Sequence, residues 1–183
     1  MTDLYQGALA ELSGVFDRID DAAVDNAVRM IAEARTVVVF GGGRERLQIM
    51  GFAMRLFHLG RSVAVVGDMT TPAIGPGDLF VVTVGPGEIS TALALLDVAK
   101  KAGARILVLT AQPRGRAAAY ADFVLTVPAQ TMADDQGQKT SILPMGSLYE
   151  GALFVLFEVM ILKLRAMVDV DPAVMRANHT NLE

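Results

Sequence analysis

The chain has 183 residues, 52% hydrophobic and 20% charged, with 16 Lys and Arg against 20 Asp and Glu for a formal charge of −4. Such a length and apolarity fit one domain with a full core and exclude disorder, and a mildly acidic chain without a basic run is a poor partner for nucleic acid or an anionic membrane. The lack of Cys removes disulfides, thiol nucleophiles and Cys-based clusters; two widely separated histidines, His58 and His179, argue against a His-rich metal site, so neither a metal nor another cofactor is expected.

The first residues show no basic segment ahead of an apolar stretch, and the most apolar run, 151–168, is broken by Glu158, Lys163 and Arg165. A cytoplasmic protein without a signal peptide or membrane span is expected. Apolar residues at three- and four-residue spacing predict helices over 3–17 (Leu4, Ala8, Leu12, Phe16) and 21–34 (Ala23, Val24, Ala27, Ile31), the second capped by Asp20 or Asp21. The period then changes. Residues 36–40 are a β-branched run ending in Gly41, Gly42 and Gly43, as fits a buried parallel strand.

The alternation continues with a helix over 45–59, strands over 62–66 and 79–84, and a helix over about 89–102. Strands over 105–109 and 123–127 follow, with a short helical stretch near 115–121 between them. Residues 129–141 form one long polar loop, 146–167 a long apolar helix, and about 169–183 a polar tail. Five strands alternating with helices predict an α/β fold built on a doubly wound parallel sheet, in one domain over 1–183 with helices at 3–34 and the tail attached. Helices 3–17 and 146–167 are apolar enough to predict packing between subunits, in a dimer or tetramer.

In an open parallel sheet ligands bind at the carboxyl ends of the strands, near the point where strand order reverses. Three loops qualify: 41–46, 85–90 and 110–116. Gly41-Gly42-Gly43-Arg44-Glu45-Arg46 opens a helix after a strand and offers backbone N–H groups to an oxyanion, or else is simply a tight turn. It lacks the Lys-Ser/Thr ending of a phosphate-cradling loop, and Arg46 takes the place of the last glycine of G-x-G-x-x-G. Nucleotide binding is disfavoured further because Asp68 is a distant match for the acid that would hold a ribose. Gly85-Pro86-Gly87-Glu88 repeats the arrangement after another strand, with Glu88 and Ser90 beside the start of the next helix. Glu150 lies near the start of the last helix among Leu148, Leu153 and Phe154, where burial raises a carboxyl pKa toward that of a general base; dipole preference alone would also put a Glu there. His58 ends an apolar helix, a position that the helix dipole alone explains. His179 stands in a tail of the kind that frays, and bears on a site only where a neighbouring subunit holds it.

The ordered blocks strand-GGGR, FAMRLFHLG, VGDMTTPAIGPGD, GPGE, AKKAGARILVLT, YAD and PMGSLYE, with the closing His-x-Asn-Leu-Glu tail, resemble the 6-phospho-3-hexuloisomerases of the sugar isomerase (SIS) superfamily along nearly the whole chain. The resemblance implies a flavodoxin-like five-stranded parallel sheet flanked by helices, usually in a tetramer. It also implies interconversion of a 3-ketohexose 6-phosphate with fructose 6-phosphate through an enediol, without a cofactor. Carried over by position, Glu150 matches the family's base, His58 its helix histidine and His179, loosely, its tail histidine. Gly41, Gly43, Arg44, Glu45, Gly85, Gly87, Glu88 and Ser90 fall on its substrate-binding loops. The departures concern phosphate. Glu45 replaces a serine, Val84-Gly85-Pro86-Gly87-Glu88-Ile89 replaces Ser-Gly-Ser-Gly-Glu-Thr, Gly115 replaces a hydroxyl residue and Leu143 a Gln. Pro86 also lacks an N–H donor. An unphosphorylated or altered ketose is therefore expected, with Arg44 or Arg46 neutralising Glu45; a non-catalytic module that senses a sugar or sugar phosphate is the alternative.

Overall fold

A computed structural model describes residues 3–137 and 140–182. Gln138 and Lys139 of the 129–141 loop, and Glu183 of the tail motif, lie outside the described residues. Five short runs rich in Val, Ile and Leu form β1 (Val37–Gly41), β2 (Val63–Val65), β3 (Leu79–Thr83), β4 (Arg105–Thr110) and β5 (Phe123–Thr126), all parallel, in the order β2-β1-β3-β4-β5. The expected doubly wound sheet is present, and its order reverses between β1 and β3.

The strands read as continuous apolar runs because both faces of the sheet are covered. Val37, Val39, Val81 and Leu107 face one core, shared with Ile49, Phe52, Leu156 and Phe157. Their neighbours Val38, Phe80, Val82 and Val108 face the other, shared with Ala92, Leu93 and Leu96. The first layer holds α1 (Leu4–Phe16), α2 (Asp21–Glu33), α3 (Glu45–His58) and α5 (Ser147–Met167); the second holds α4 (Ser90–Lys101) and a 3₁₀ turn over Arg116–Tyr120. Asp20 is the cap of α2, its side chain accepting from the amides of Ala22 and Ala23. Phe52 of α3 stacks on Phe157 of α5 with ring centroids 4.4 Å apart, which fixes α5 against the helix that leaves β1.

Most of the apolar character of α5 serves its own core, where Leu148, Leu153, Leu156, Phe157, Met160 and Ile161 are buried; Phe154, Val155 and Leu162 remain on its exposed face. The tail does not run free. It forms α6 (Pro172–Ala177), capped by Asp171, and Asn178 donates to the carbonyl of His58 at 3.0 Å. Val170 and Met175 pack on the core. Sequence pattern hid this docking because α6 is short and mostly exposed. Among the described residues, no helix is long and apolar enough to cross a membrane.

Candidate active site

The switch between β1 and β3 builds the site. Gly41 closes β1 in register with Thr83 at the end of β3. A Cβ at Gly41 would meet the Thr83 methyl at 2.9 Å, so glycine leaves Thr83 room to turn its hydroxyl toward α3. α3 starts at once, and its first residue, Glu45, reaches back over the sheet edge. Its carboxyl accepts from the Thr83 hydroxyl at 2.6 Å and from the Gly85 amide at 3.0 and 3.2 Å. The Tyr149 hydroxyl lies 3.1 Å from that of Thr83, and a Cβ at Gly85 would meet the Tyr149 ring at 2.9 Å. Glycine at 85 is thus set by the close approach of Glu45 and Tyr149.

Burial is the main force on these groups. It pushes Glu45 up to about 7, against the opposing pull of the Thr83 and Gly85 hydrogen bonds and with help from the nearby Glu150 charge. Burial, with the Glu45 charge behind it, holds the Tyr149 hydroxyl well above its ordinary range. Thr83 has one proton to give, so with Glu45 ionised the chain runs from Tyr149 to Thr83 to Glu45; with Glu45 protonated it can reverse.

Glu150, in the first turn of α5, faces the same cavity, of about 460 Å³. Met145 (φ 55) and Gly146 (φ 84) lie in the left-handed region just before α5, and the turn delivers the Met145 carbonyl to the Arg44 guanidinium. Arg44 also donates to the Ser147 hydroxyl at 3.1 Å, and its Nε stands 3.2 Å from Glu150 Oε2. Partial burial raises the Glu150 pKa and Arg44 opposes the rise. The expected pairing of Glu45 with an arginine is corrected here: Arg44 serves Glu150, and Arg46 donates to the Val66 carbonyl at 2.8 Å.

Of the residues singled out from sequence, Gly43, Arg44, Glu45 and Glu150 line this cavity together with Pro86 and Ile89. Gly41 and Gly85 stand behind it and shape it. Gly87 and Glu88 turn away toward the 3₁₀ turn, where the Gly87 carbonyl accepts from the Ala117 amide at 3.0 Å and Glu88 pairs with Arg116 at 2.6 Å. Ser90 opens α4 and is not among the lining residues. His58 and His179 come together elsewhere, with ring centroids 5.1 Å apart, in a cleft of about 440 Å³ shared with Arg55, Arg165 and Arg176. Glu45 and His58 are the two ends of α3, and fourteen residues of helix separate them by ~20 Å at 1.5 Å per residue. One copy of the chain therefore cannot present Glu45 and His58 to the same small sugar. Among the described residues, no three His, Asp or Glu gather as metal ligands. Sequence reasoning missed Tyr149 and Thr83, and Thr131, which also lines the cavity. Tyr149 carried a signal, since it sits next to Glu150 on the core side of an apolar helix, whereas Thr83 reads as an ordinary strand end.

The SIS domain model matches residues 30–155, which span β1 to the first part of α5 and so the whole cavity. The chain belongs to the SIS-domain family. A protein of Mycobacterium gastri named 3-hexulose-6-phosphate isomerase is 38% identical over 94% of this chain and 86% of its own length. One of Methylomonas aminofaciens with the same name is 34% identical over the full length of both. A crystal structure from Methanococcus jannaschii, of a hypothetical protein with an inferred function of 3-hexulose-6-phosphate isomerase, superposes with a TM-score of 0.81 at 25% identity, covering 98% of this SIS chain and 97% of its own.

Proposed function

We propose that this SIS-domain chain is a ketose isomerase of the kind its relatives are named for, moving a carbonyl between C3 and C2 of a sugar through an enediol. From the 3-ketose, a base removes the C2 proton and the C3 carbonyl becomes the second hydroxyl of the enediol. A proton is then delivered to C3, the C2 hydroxyl loses its own, and C2 becomes the carbonyl. The reaction is redox-neutral overall and its balance needs no external oxidant or reductant.

Glu150 is the base in this reading. The observation that carries it is a carboxylate on the wall of the switch-point cavity, held in place by Arg44 at 3.2 Å and raised in pKa by partial burial. One well-placed base is worth about 10²–10⁴-fold in rate. Arg44, beside it, also faces the enediolate oxygen that would form in the cavity.

Gly43 on the cavity wall, with Gly41 and Gly85 behind it, frames the sugar in the same reading, and one SIS domain over 1–183 carries the activity. A homo-oligomer, dimer or tetramer, completes it. Phe154 and Leu162 on α5, Leu47, Met54 and Phe57 on α3, and Leu4 and Leu9 on α1 are exposed apolar side chains that a second copy would cover. Such a copy would also bring the His58–His179 cleft to another subunit's cavity; within one copy the length of α3 holds His58 ~20 Å from Glu45, judging by the helix rise. The test is NMR of D-fructose 6-phosphate and of D-fructose incubated with the protein in D₂O. Replacement of a carbon-bound hydrogen next to the carbonyl supports isomerisation; unchanged spectra with both sugars would refute it.

A further inference from the structure

The floor of the cavity carries a carboxyl group at the place where a strand-to-helix loop usually offers N–H groups to an anion. Glu45 is 7% exposed, and its oxygens already engage the Gly85 amide and the Thr83 hydroxyl, at 3.0 and 2.6 Å. Two donors of the β1–β3 crevice, the Gly85 amide and the Thr83 hydroxyl, are therefore consumed inside the protein. Pro86, next on the loop, has no N–H, and Ile89 turns aliphatic carbon to the same space. Among the described residues that line the cavity, Arg44 is the single cation, and Glu150, Ser147 and the Met145 carbonyl already hold its guanidinium. Arg46 and Arg116 are turned to the Val66 carbonyl and to Glu88.

A phosphate dianion in this cavity would face two carboxyl groups and share one guanidinium, an arrangement that charge complementarity opposes. A sugar hydroxyl has the opposite requirement. A carboxylate offers about four acceptor positions, and Thr83 with Gly85 leave some of them for a ligand. We infer that Glu45 is a specificity-determining residue: it receives a hydroxyl of an unphosphorylated ketose and turns the cavity against a phosphorylated one. The reaction assumed rests on the isomerase reading above, whereas the preferred charge of the ligand rests on the cavity alone. A Glu45 pKa of about 7 agrees with this role, since the group accepts from a hydroxyl when ionised and donates when protonated.

The test sets D-fructose against D-fructose 6-phosphate on the wild-type protein, Glu45→Gln and Glu45→Ser, by titration calorimetry and by exchange in D₂O. Wild type is expected to bind D-fructose at least tenfold more tightly and to exchange it with at least tenfold higher kcat/KM. Glu45→Ser should narrow both preferences by tenfold or more. Between pH 6 and 8 wild type should lose about tenfold more affinity for the 6-phosphate than Glu45→Gln does. Gln keeps an acceptor for Gly85 and a donor for Thr83, so this arm stands even where Glu45→Ser fails to fold. Tighter binding of the 6-phosphate by wild type, indifferent to pH and to Glu45→Gln, overturns the inference and leaves the isomerase reading intact. Exchange with neither sugar removes the isomerase reading; binding then decides, with D-fructose preferred upholding the inference, and the 6-phosphate preferred, or neither bound, overturning it.

Discussion

Replacing Glu45 with Gln should stabilise the protein at alkaline pH and change the slope of its stability with pH. The folded state holds the Glu45 proton more tightly than the unfolded chain does, with a pKa of about 7 against an ordinary 4.5. Folding therefore favours the protonated acid, and the contribution is fully present below about pH 4.5. It is lost as pH rises, and is gone once pH has passed through 7. From 4.5 to about 7, at ~1.4 kcal/mol for each pH unit, the full loss comes to about 3 kcal/mol, of which about 2–3 falls between pH 5 and 8. Gln mimics the protonated acid in shape and keeps partners for Gly85 and Thr83, so it does not titrate and should lose none of this. Urea unfolding of both proteins at pH 5, 6, 7 and 8 measures the difference directly. The stability of wild type relative to Glu45→Gln should fall by about 2–3 kcal/mol across that range. Parallel curves, or a wild type that gains on the variant as pH rises, would refute the claim that burial governs Glu45.

Tyr149→Phe removes the hydroxyl that backs Thr83 and should cost about 1 kcal/mol in urea unfolding, more at pH 8 than at pH 5 because the ionised Glu45 depends on that chain of donors. An equal cost at both pH values would separate Tyr149 from Glu45. His58→Asn and His179→Asn should each lower isomerase turnover by about tenfold or more, as fits groups that polarise or reprotonate from a neighbouring subunit; steady-state rates at wild-type level would reduce both histidines to a structural pair. Light scattering at micromolar concentration should give the mass of a dimer or tetramer, and a monomer of 19.5 kDa would contradict the proposed sharing of sites.

The sheet was legible because each strand is a continuous apolar run followed by glycine or a polar turn, and because every helix between strands carries its own three- and four-residue spacing. Local chemistry also marked Asp20 as a cap and Glu150 as a carboxylate among apolar neighbours. Pairings through space were not legible. Arg44 follows the glycine turn and precedes Glu45, yet it reaches across to Glu150 because the left-handed turn at Met145 and Gly146 brings that helix start alongside. Glu45 reads as a first-turn acid, and only the register of Gly41 with Thr83 shows that it is drawn under the loop. The tail looked free since α6 has no apolar stripe of its own, while Asn178 and Met175 are what hold it. His58 and His179 were both candidates for one site with Glu150; the length of α3, which no spacing rule weighs, sets them apart within one copy.

Exchange in D₂O by Glu150→Gln, measured beside wild type on whichever ketose wild type turns over, tests the central claim most directly. The amide is nearly isosteric, still accepts from Arg44 through its oxygen, and cannot take a proton. The rate should fall by about 10²-fold or more with the fold and the oligomeric mass unchanged, as one placed base requires. Exchange within about tenfold of wild type, smaller than the contribution of a placed base, would show that Glu150 is only the acid that begins α5.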